Sequence, residues 1–228
     1  MTLELLVAGE RLLLLAQKGL YWPKQKMLII ADIHFGKAAS FRALGVPVPH
    51  GTTSHDLALL DALIAAHDVE HMVFLGDFLH SKFAHARATL KALQHWRERH
   101  ANLRLTLVRG NHDLHAGDPP FLLRFEIVNE PYRMAPFAFC HHPDLAVREG
   151  YVLAGHVHPV FRLTSGRESL WLPCFLIGAQ RAILPSFGSF TGGFLVMPQT
   201  GERLFVTTMD ALFAVPVKTL SQNNSETQ

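Results

Sequence analysis

Apolar residues along this chain fall into short blocks, each closed by a glycine or a polar cluster, and their rhythm changes near the middle. Residues 3–7 and 12–15, separated by Ala8-Gly9-Glu10, predict an opening β-hairpin. The fully apolar block 27–31 predicts a buried strand, followed by a Gly- and Pro-containing loop through His50. Thr53 and Asp56 then make a capping-box-like start, with Leu57, Leu60 and Ile64 at helical spacing. Next come a strand over 72–75, a helix whose buried face carries Phe83, Ala86, Leu90 and Leu93, and a strand over 103–108. This β-α-β-α rhythm implies an α/β layered domain with a largely parallel centre.

Beyond Gly110 the helical period gives way to short segments at 137–139, 151–154, 170–172, 182–184, 193–196 and 204–207, divided by Gly, Pro and polar turns. The C-terminal half therefore reads as mostly strand. The chain has no repeat of fixed period and no Pro- or Ser-rich linker, so residues 1–220 are expected to form a single domain, with 221–228 a disordered polar tail. A chain of 228 residues suits one core that buries roughly 70% of the unfolded surface.

The longest apolar runs, LLLLA after Arg11 and MLIIA after Lys26, fall far short of the ~20 residues of a spanning helix. The opening MTLELLVAGER lacks the pattern of a secretory signal, and a cytoplasmic location is expected. There, Cys140 and Cys174 are expected to remain free thiols, and neither has metal-motif spacing. A net charge of +2 gives no electrostatic argument for a nucleic-acid surface. Histidine, with 15 copies, is the outlier, and position decides what it is for.

Five polar motifs follow five apolar blocks: Asp32-Ile33-His34, Gly76-Asp77, Gly110-Asn111-His112-Asp113, His141-His142-Pro143 and Gly155-His156-Val157-His158. Ligands of open α/β sheets gather at the carboxyl ends of strands, so five such ends predict one shared crevice. The i, i+2 spacing of Asp32 with His34, and of His156 with His158, aims both members of each pair to one side of an extended segment. The glycines before Asp77, Asn111 and His156 would let the backbone turn sharply and approach an anion. Carboxylate, imidazole and amide ligands without a thiolate suit Mn²⁺ first, then Fe or Zn²⁺, better than Ca²⁺ or an iron–sulfur cluster. Singly, each motif has an ordinary explanation: DxH by chance, Gly-Asp as a turn, Gly-Asn-His as a helix cap. In this order, each after a strand, they point to a metal site.

The ordered set resembles the calcineurin-like metallophosphoesterase superfamily, whose motifs are Dx[H], GD, GNH[DE], a lone H and GHxH. The resemblance implies a four-layer αββα sandwich, two stacked mixed sheets flanked by helices, with a site for two divalent metal ions at the sheets' edge. Asp32, His34 and His158 would hold the first metal, Asn111, His141 and His156 the second, and Asp77 would bridge them. Two cations ~3.5–4 Å apart would lower the pKa of a bridging water and clamp phosphoryl oxygens. His112 would protonate the leaving oxygen, and Asp113 would accept a hydrogen bond from that imidazole. His141 and His142 alternate in direction, so one is expected to ligate: His141, which comes first after the strand, with His142 as the fallback. Lys37 and Arg42 either contact a substrate phosphate or are ordinary solvated bases, and Arg109 and His80 invite the same question. His55, His67, His85 and His95 fall on expected helices and read as surface residues.

The sequence after the second motif reads GDFLHSK and the third motif reads GNHD. Ser/Thr protein phosphatases and diadenosine tetraphosphatases instead carry an acidic-Arg-Gly extension and GNHE. The opening hairpin, the YWP at 21–23, the stretch DIHFGKAASFRALGVPVP and the CHHP motif are similar to the bacterial ligase-associated DNA damage response endonucleases. That resemblance implies a Mn²⁺-dependent phosphodiesterase or endonuclease acting on nucleic acid in DNA repair, with a DNA ligase, a helicase and an exonuclease as partners. Two alternatives stay open: a phosphodiesterase of small 2',3'-cyclic nucleotides, and a non-catalytic scaffold with the same fold. A shallow basic groove would favour nucleic acid and a closed pocket the small ligand.

Overall fold

The opening hairpin forms as patterned, with β1 (Thr2–Val7) antiparallel to β2 (Glu10–Leu15) and Ala8 and Gly9 both at positive φ in the turn. The computed structural model describes residues 1–48, 51–166 and 168–216. His50 and the tail 221–228 lie outside them. The hairpin continues through β3 (Leu20–Trp22) into β4 (Met27–Ala31), and β5 (His71–Leu75), β6 (Arg104–Val108) and β7 (Phe125–Val128) then add in parallel. These strands make a mixed seven-stranded sheet in chain order.

Helices α1 (Lys37–Ala43), α2 (Thr52–Ala66), α3 (Arg87–Arg99) and α4 (Asn111–Ala116) lie in the crossovers of this sheet. Leu57, Leu60 and Leu63 of α2 and Leu93 and Trp96 of α3 cover its outer face, packing with Leu28, Ile30, Phe74 and Leu105. Two local expectations fail here. Gly51 at positive φ caps α2 without a side-chain hydrogen bond, and Asp56 is buried, accepting the Ser189 N–H at 3.0 Å. Phe83 sits on a separate 3-10 turn, Lys82–His85, because Ala86 is extended (φ −53, ψ 136) and breaks the helix before α3.

The second sheet uses β8 (Tyr132–Met134), β9 (Phe137–Phe139), β10 (Tyr151–Ala154), β11 (Pro159–Ser165), β12 (Glu168–Ile177), β13 (Arg181–Ile183), β14 (Phe194–Leu195), β15 (Arg203–Thr207) and β16 (Leu212–Val215). Its order is β14-β11-β12-β13-β10-β9-β8, with β15 added beside β12 and β16 beside β15, and it mixes parallel and antiparallel pairs. The two sheets stack face to face. Leu5, Leu14, Ile29 and Val73 from one meet Phe137, Leu153, Phe175 and Phe205 from the other in a shared core.

The expected fold class, two mixed sheets with flanking helices, is the one observed. The described α-helices all lie before residue 117. On the outer face of the second sheet, Cys174, Leu176, Leu204 and Val206 are covered by Phe161, Leu172 and Val196, while Leu145 and Val147 cover Cys140 and Val152. Both cysteines are free and buried, and burial pushes each thiol up to about 12. No described helix is long and apolar enough to cross a membrane.

Candidate metal centre

The carboxyl ends of β4, β5 and β6 in one sheet and of β9 and β10 in the other point to the same edge of the sandwich. Asp32 and His34 follow β4, Asp77 follows β5, and Asn111 to Asp113 follow β6. His141 and His142 follow β9, and His156 and His158 follow β10. The sheets are stitched together there, since the His156 N–H donates to Asp32 Oδ2 at 2.8 Å. Within the first sheet the loops pair through His34 N–H to Asp77 O (2.9 Å) and Phe35 N–H to Phe78 O (2.9 Å).

Three constellations of ligand atoms result. Asp32, His34, Asp77 and His158 each bring one within 4.8 Å of the others, as do His141, His142 and His156, and His34, His80 and His112. In the first, His34 Nε2 stands 3.6 Å from Asp77 Oδ2 and 3.3 Å from His158 Nε2. His158 Nε2 is in turn 3.6 Å from Asp32 Oδ1. Beside it, His141 Nε2 lies 2.8 Å from Asn111 Oδ1, 3.0 Å from His156 Nδ1 and 3.6 Å from Asp77 Oδ1. Asp77 thus faces both groups, one carboxylate oxygen toward each.

The donor chemistry fits cations. Asp32 Oδ1 is buried and has no hydrogen-bond partner among the described residues, a costly arrangement without a counter-charge. His141 Nδ1 lies 3.0 Å from the Leu75 carbonyl, so its proton belongs there. Nε2 then presents a bare lone pair to the Asn111 and Asp77 oxygens. Lone pairs converging on one point repel unless a positive charge lies between them. Burial, followed by the neighbouring His158 and Lys37, drives His34 far below the usual imidazole range, and burial also lowers His156. Both rings are therefore neutral, the ligating form.

The expected extended geometry of the two-apart pairs is not what brings them together. Asp32 (φ 50), His34 (φ 50), Asp77 (φ 52), His156 (φ 69) and His158 (φ 51) are all left-handed, at about 1–2 kcal/mol each for a residue with a Cβ. Such backbone strain collects at functional sites and is held by surrounding structure. Here the hydrogen bonds between loops hold it, together with Ser186, whose Oγ donates to the Asp32 carbonyl at 2.7 Å.

The glycines serve space more than conformation. Gly76 is left-handed (φ 77), but neither Gly110 nor Gly155 has positive φ. A Cβ on Gly110 would lie 2.6 Å from Asp77 N, and one on Gly155 would lie 2.5 Å from Asp32 Oδ2. The side chains that converge on the site occupy the room a methyl group would need.

Asp113 departs from expectation. Its carboxylate is spent on backbone, accepting from Phe78 N (3.0 Å), Leu79 N (3.3 Å) and Gly110 N (2.9 Å), which locks the Asp77 loop to the Asn111 loop. As the third residue of α4 it points back at the helix entrance rather than along the chain to its neighbour. The His112 imidazole gives Nδ1–H instead to the His80 carbonyl at 2.8 Å, and the two rings stack with centroids 5.0 Å apart. Burial pushes Asp113 up to about 6 and His80 down to about 4.

His141 is fully buried in the cluster, whereas His142 turns its Nδ1 to Glu130 Oε1 at 2.6 Å. Glu130 Oε2 also accepts the backbone N–H of both histidines, at 2.8 and 2.9 Å. Sequence reasoning missed Glu130 and Ser186, since each acts on a loop distant in sequence and neither lies in a motif. Lys37 opens α1 beside the site, where burial lowers its pKa against the opposing pull of Asp77. Arg42 donates to the Val48 carbonyl at 3.4 Å, holding the loop after α1. Arg109 pairs bidentately with Asp118 (2.8 and 2.8 Å) and donates to Asn129 Oδ1 (3.0 Å), which makes it a clamp between loops. His55 and His95 are exposed, and His85 donates from its 3-10 turn to the Ala116 carbonyl at 3.0 Å.

Comparison with known proteins adds three findings. The sequence profile of the calcineurin-like phosphoesterase family matches residues 25–176. The crystal structure of nuclease MPE from Pseudomonas putida superimposes with a TM-score of 0.84 at 44% identity, covering 94% of this chain and 100% of that one. A protein of unknown function from Aquifex aeolicus aligns with a TM-score of 0.40 at 19% identity, over 58% of this chain and 78% of that one. Comparison with curated proteins returned no match.

Proposed function

The chain belongs to the calcineurin-like phosphoesterase family and is a metal-dependent phosphoesterase, and from that premise we propose a Mn²⁺-dependent phosphodiesterase that cuts nucleic acid. The observation that carries this reading is the approach of Asn111 Oδ1 (2.8 Å) and Asp77 Oδ1 (3.6 Å) to the same His141 Nε2, beside Asp32 Oδ1, which has no hydrogen-bond partner among the described residues. We assign Asp32, His34 and His158 to one cation, Asn111, His141 and His156 to the other, and Asp77 to both. The oxygen and nitrogen donor set supports manganese. The likeness to a nuclease over 94% of the chain supports a nucleic-acid substrate.

When bound, the two cations would supply hydroxide from water near neutral pH and neutralise charge on the phosphoryl oxygens. The protein's own groups do the rest. Asp77 holds both sites in register, and Asp113 keeps its loop in place. With Nδ1–H committed to the His80 carbonyl, the imidazolium form of His112 would give its Nε2 proton to the departing oxygen as the P–O bond breaks, leaving the neutral ring. Lys37, at the edge of the cluster, would contact a phosphate oxygen.

An open groove of about 940 Å³ adjoining His112 suits a polymer better than an enclosed small ligand. A place in DNA repair beside a ligase, a helicase and an exonuclease is part of the same proposal, supported by the DIHFGKAASFR segment. The deciding experiment compares plasmid, single strands, 2',3'-cyclic nucleotides and monoesters as substrates for manganese-loaded protein. Preference for nucleic acid is expected. Preference for the cyclic nucleotide overturns the nuclease reading, and inertness toward every substrate would favour a scaffold.

A further inference from the structure

Resting on the nuclease reading, we propose that the groove between the 3-10 turn Lys82–His85 and α4 receives the nucleobase of the departing nucleoside, with Phe83 and Leu114 as its apolar walls. The groove encloses about 940 Å³ and has His112 and Asn111 in its lining. It therefore begins at the imidazole assigned to the leaving oxygen. The group bonded to that oxygen in a nucleic acid is a nucleoside, and its base needs a flat apolar surface nearby.

Phe83 and Leu114 are 58% and 73% exposed. Single exposed apolar side chains are ordinary on protein surfaces. Two that line the same groove beside a reacting centre form a platform on which any base has a π-face to stack. The walls are tied together by His85 Nε2 and the Ala116 carbonyl at 3.0 Å, so the groove does not depend on a ligand to assemble.

Charge favours the same occupant. Lys82 and His115 line the groove, and no carboxylate does so among the described residues, which complements a phosphodiester backbone. The other large groove, about 850 Å³, has Asp144 and Glu202 beside Arg148 and Arg181 in its walls and none of the clustered histidines.

The test uses the full-length, manganese-loaded protein and a single-stranded oligonucleotide, beside a matched strand with one abasic residue on the departing side of a chosen phosphate. The wild type is expected to cut that phosphate about ten-fold more slowly when the base is missing, within the range for loss of one base stack. Phe83→Ala is expected to cut both strands at the slow rate, and Phe83→Tyr to restore the preference. An abasic penalty unchanged in Phe83→Ala, or absent in the wild type, overturns the subsite while leaving the nuclease reading intact. A wild type that hydrolyses bis-p-nitrophenyl phosphate but no oligonucleotide overturns both.

Discussion

His141 and Asn111 face each other with acceptors, Nε2 to Oδ1, across 2.8 Å. Because the Nδ1 proton of His141 is held by the Leu75 carbonyl, this contact favours folding only when a cation lies close to both atoms. Removing metal should therefore cost stability. With Mn²⁺ at a hundred times its dissociation constant the gain is about 2.7 kcal/mol, or a rise in Tm of several degrees for a chain of this size. Calorimetry with chelator and with Mn²⁺ measures it, and coincident melting curves would count against the centre.

Asp113 is predicted to matter through the backbone it pins. Asp113→Asn keeps the shape but turns an amide donor toward N–H groups that need an acceptor, so a loss of about 1–3 kcal/mol is expected together with lower turnover. If turnover falls while the denaturation midpoint stays put, the carboxylate acts on His112 after all.

Gly155→Ala tests how tightly the sheets are fitted at the site. The new methyl group would sit 2.5 Å from Asp32 Oδ2 and 2.9 Å from Ala31 Cβ. Displacing Asp32 by even an ångström is expected to lower turnover about 10²-fold and to weaken Mn²⁺ binding in titration calorimetry. Wild-type manganese affinity in this variant would contradict the role given to Asp32.

Lys18 provides a pH signature away from the metals. It is 6% exposed, lies over the Phe187 ring at 5.9 Å, and burial lowers its pKa from 10.5 to about 8 against the pull of Asp56. The folded protein releases this proton near pH 8, while the unfolded chain keeps it until about 10.5. Between those values the unfolded state binds more protons, so stability rises with pH. Lys18→Met should be the more stable protein at pH 7, by up to about 3 kcal/mol, and should lose that advantage as pH climbs from 8 to 10. Parallel stability profiles for the two proteins would refute the shift.

The ligand loops were legible because strand ends punctuate sequence sharply: a block such as residues 27–31 runs straight into Asp32. The α/β layering followed from the same rhythm, whereas the two stacked mixed sheets were implied only by the family resemblance. What escaped was whatever depends on partners distant in sequence or on short elements. Leu20–Trp22 and Tyr132–Met134 are three-residue strands, too brief for a period to show. Phe83 matched the helical spacing of Leu90 and Leu93, yet one extended residue, Ala86, places it on a different element. Asp113 stands next to His112 in sequence, but its acceptors are claimed by the backbone of Phe78, Leu79 and Gly110. Glu130 organises two histidines 11 and 12 residues away, and no motif announces it.

The most direct test of the dimetal assignment is anomalous diffraction at the manganese edge from crystals grown with Mn²⁺. Two peaks are expected about 3.5–4 Å apart, one against Asp32, His34 and His158, the other against Asn111, His141 and His156, with Asp77 between them. A single peak, or manganese bound away from Asp77, would contradict it.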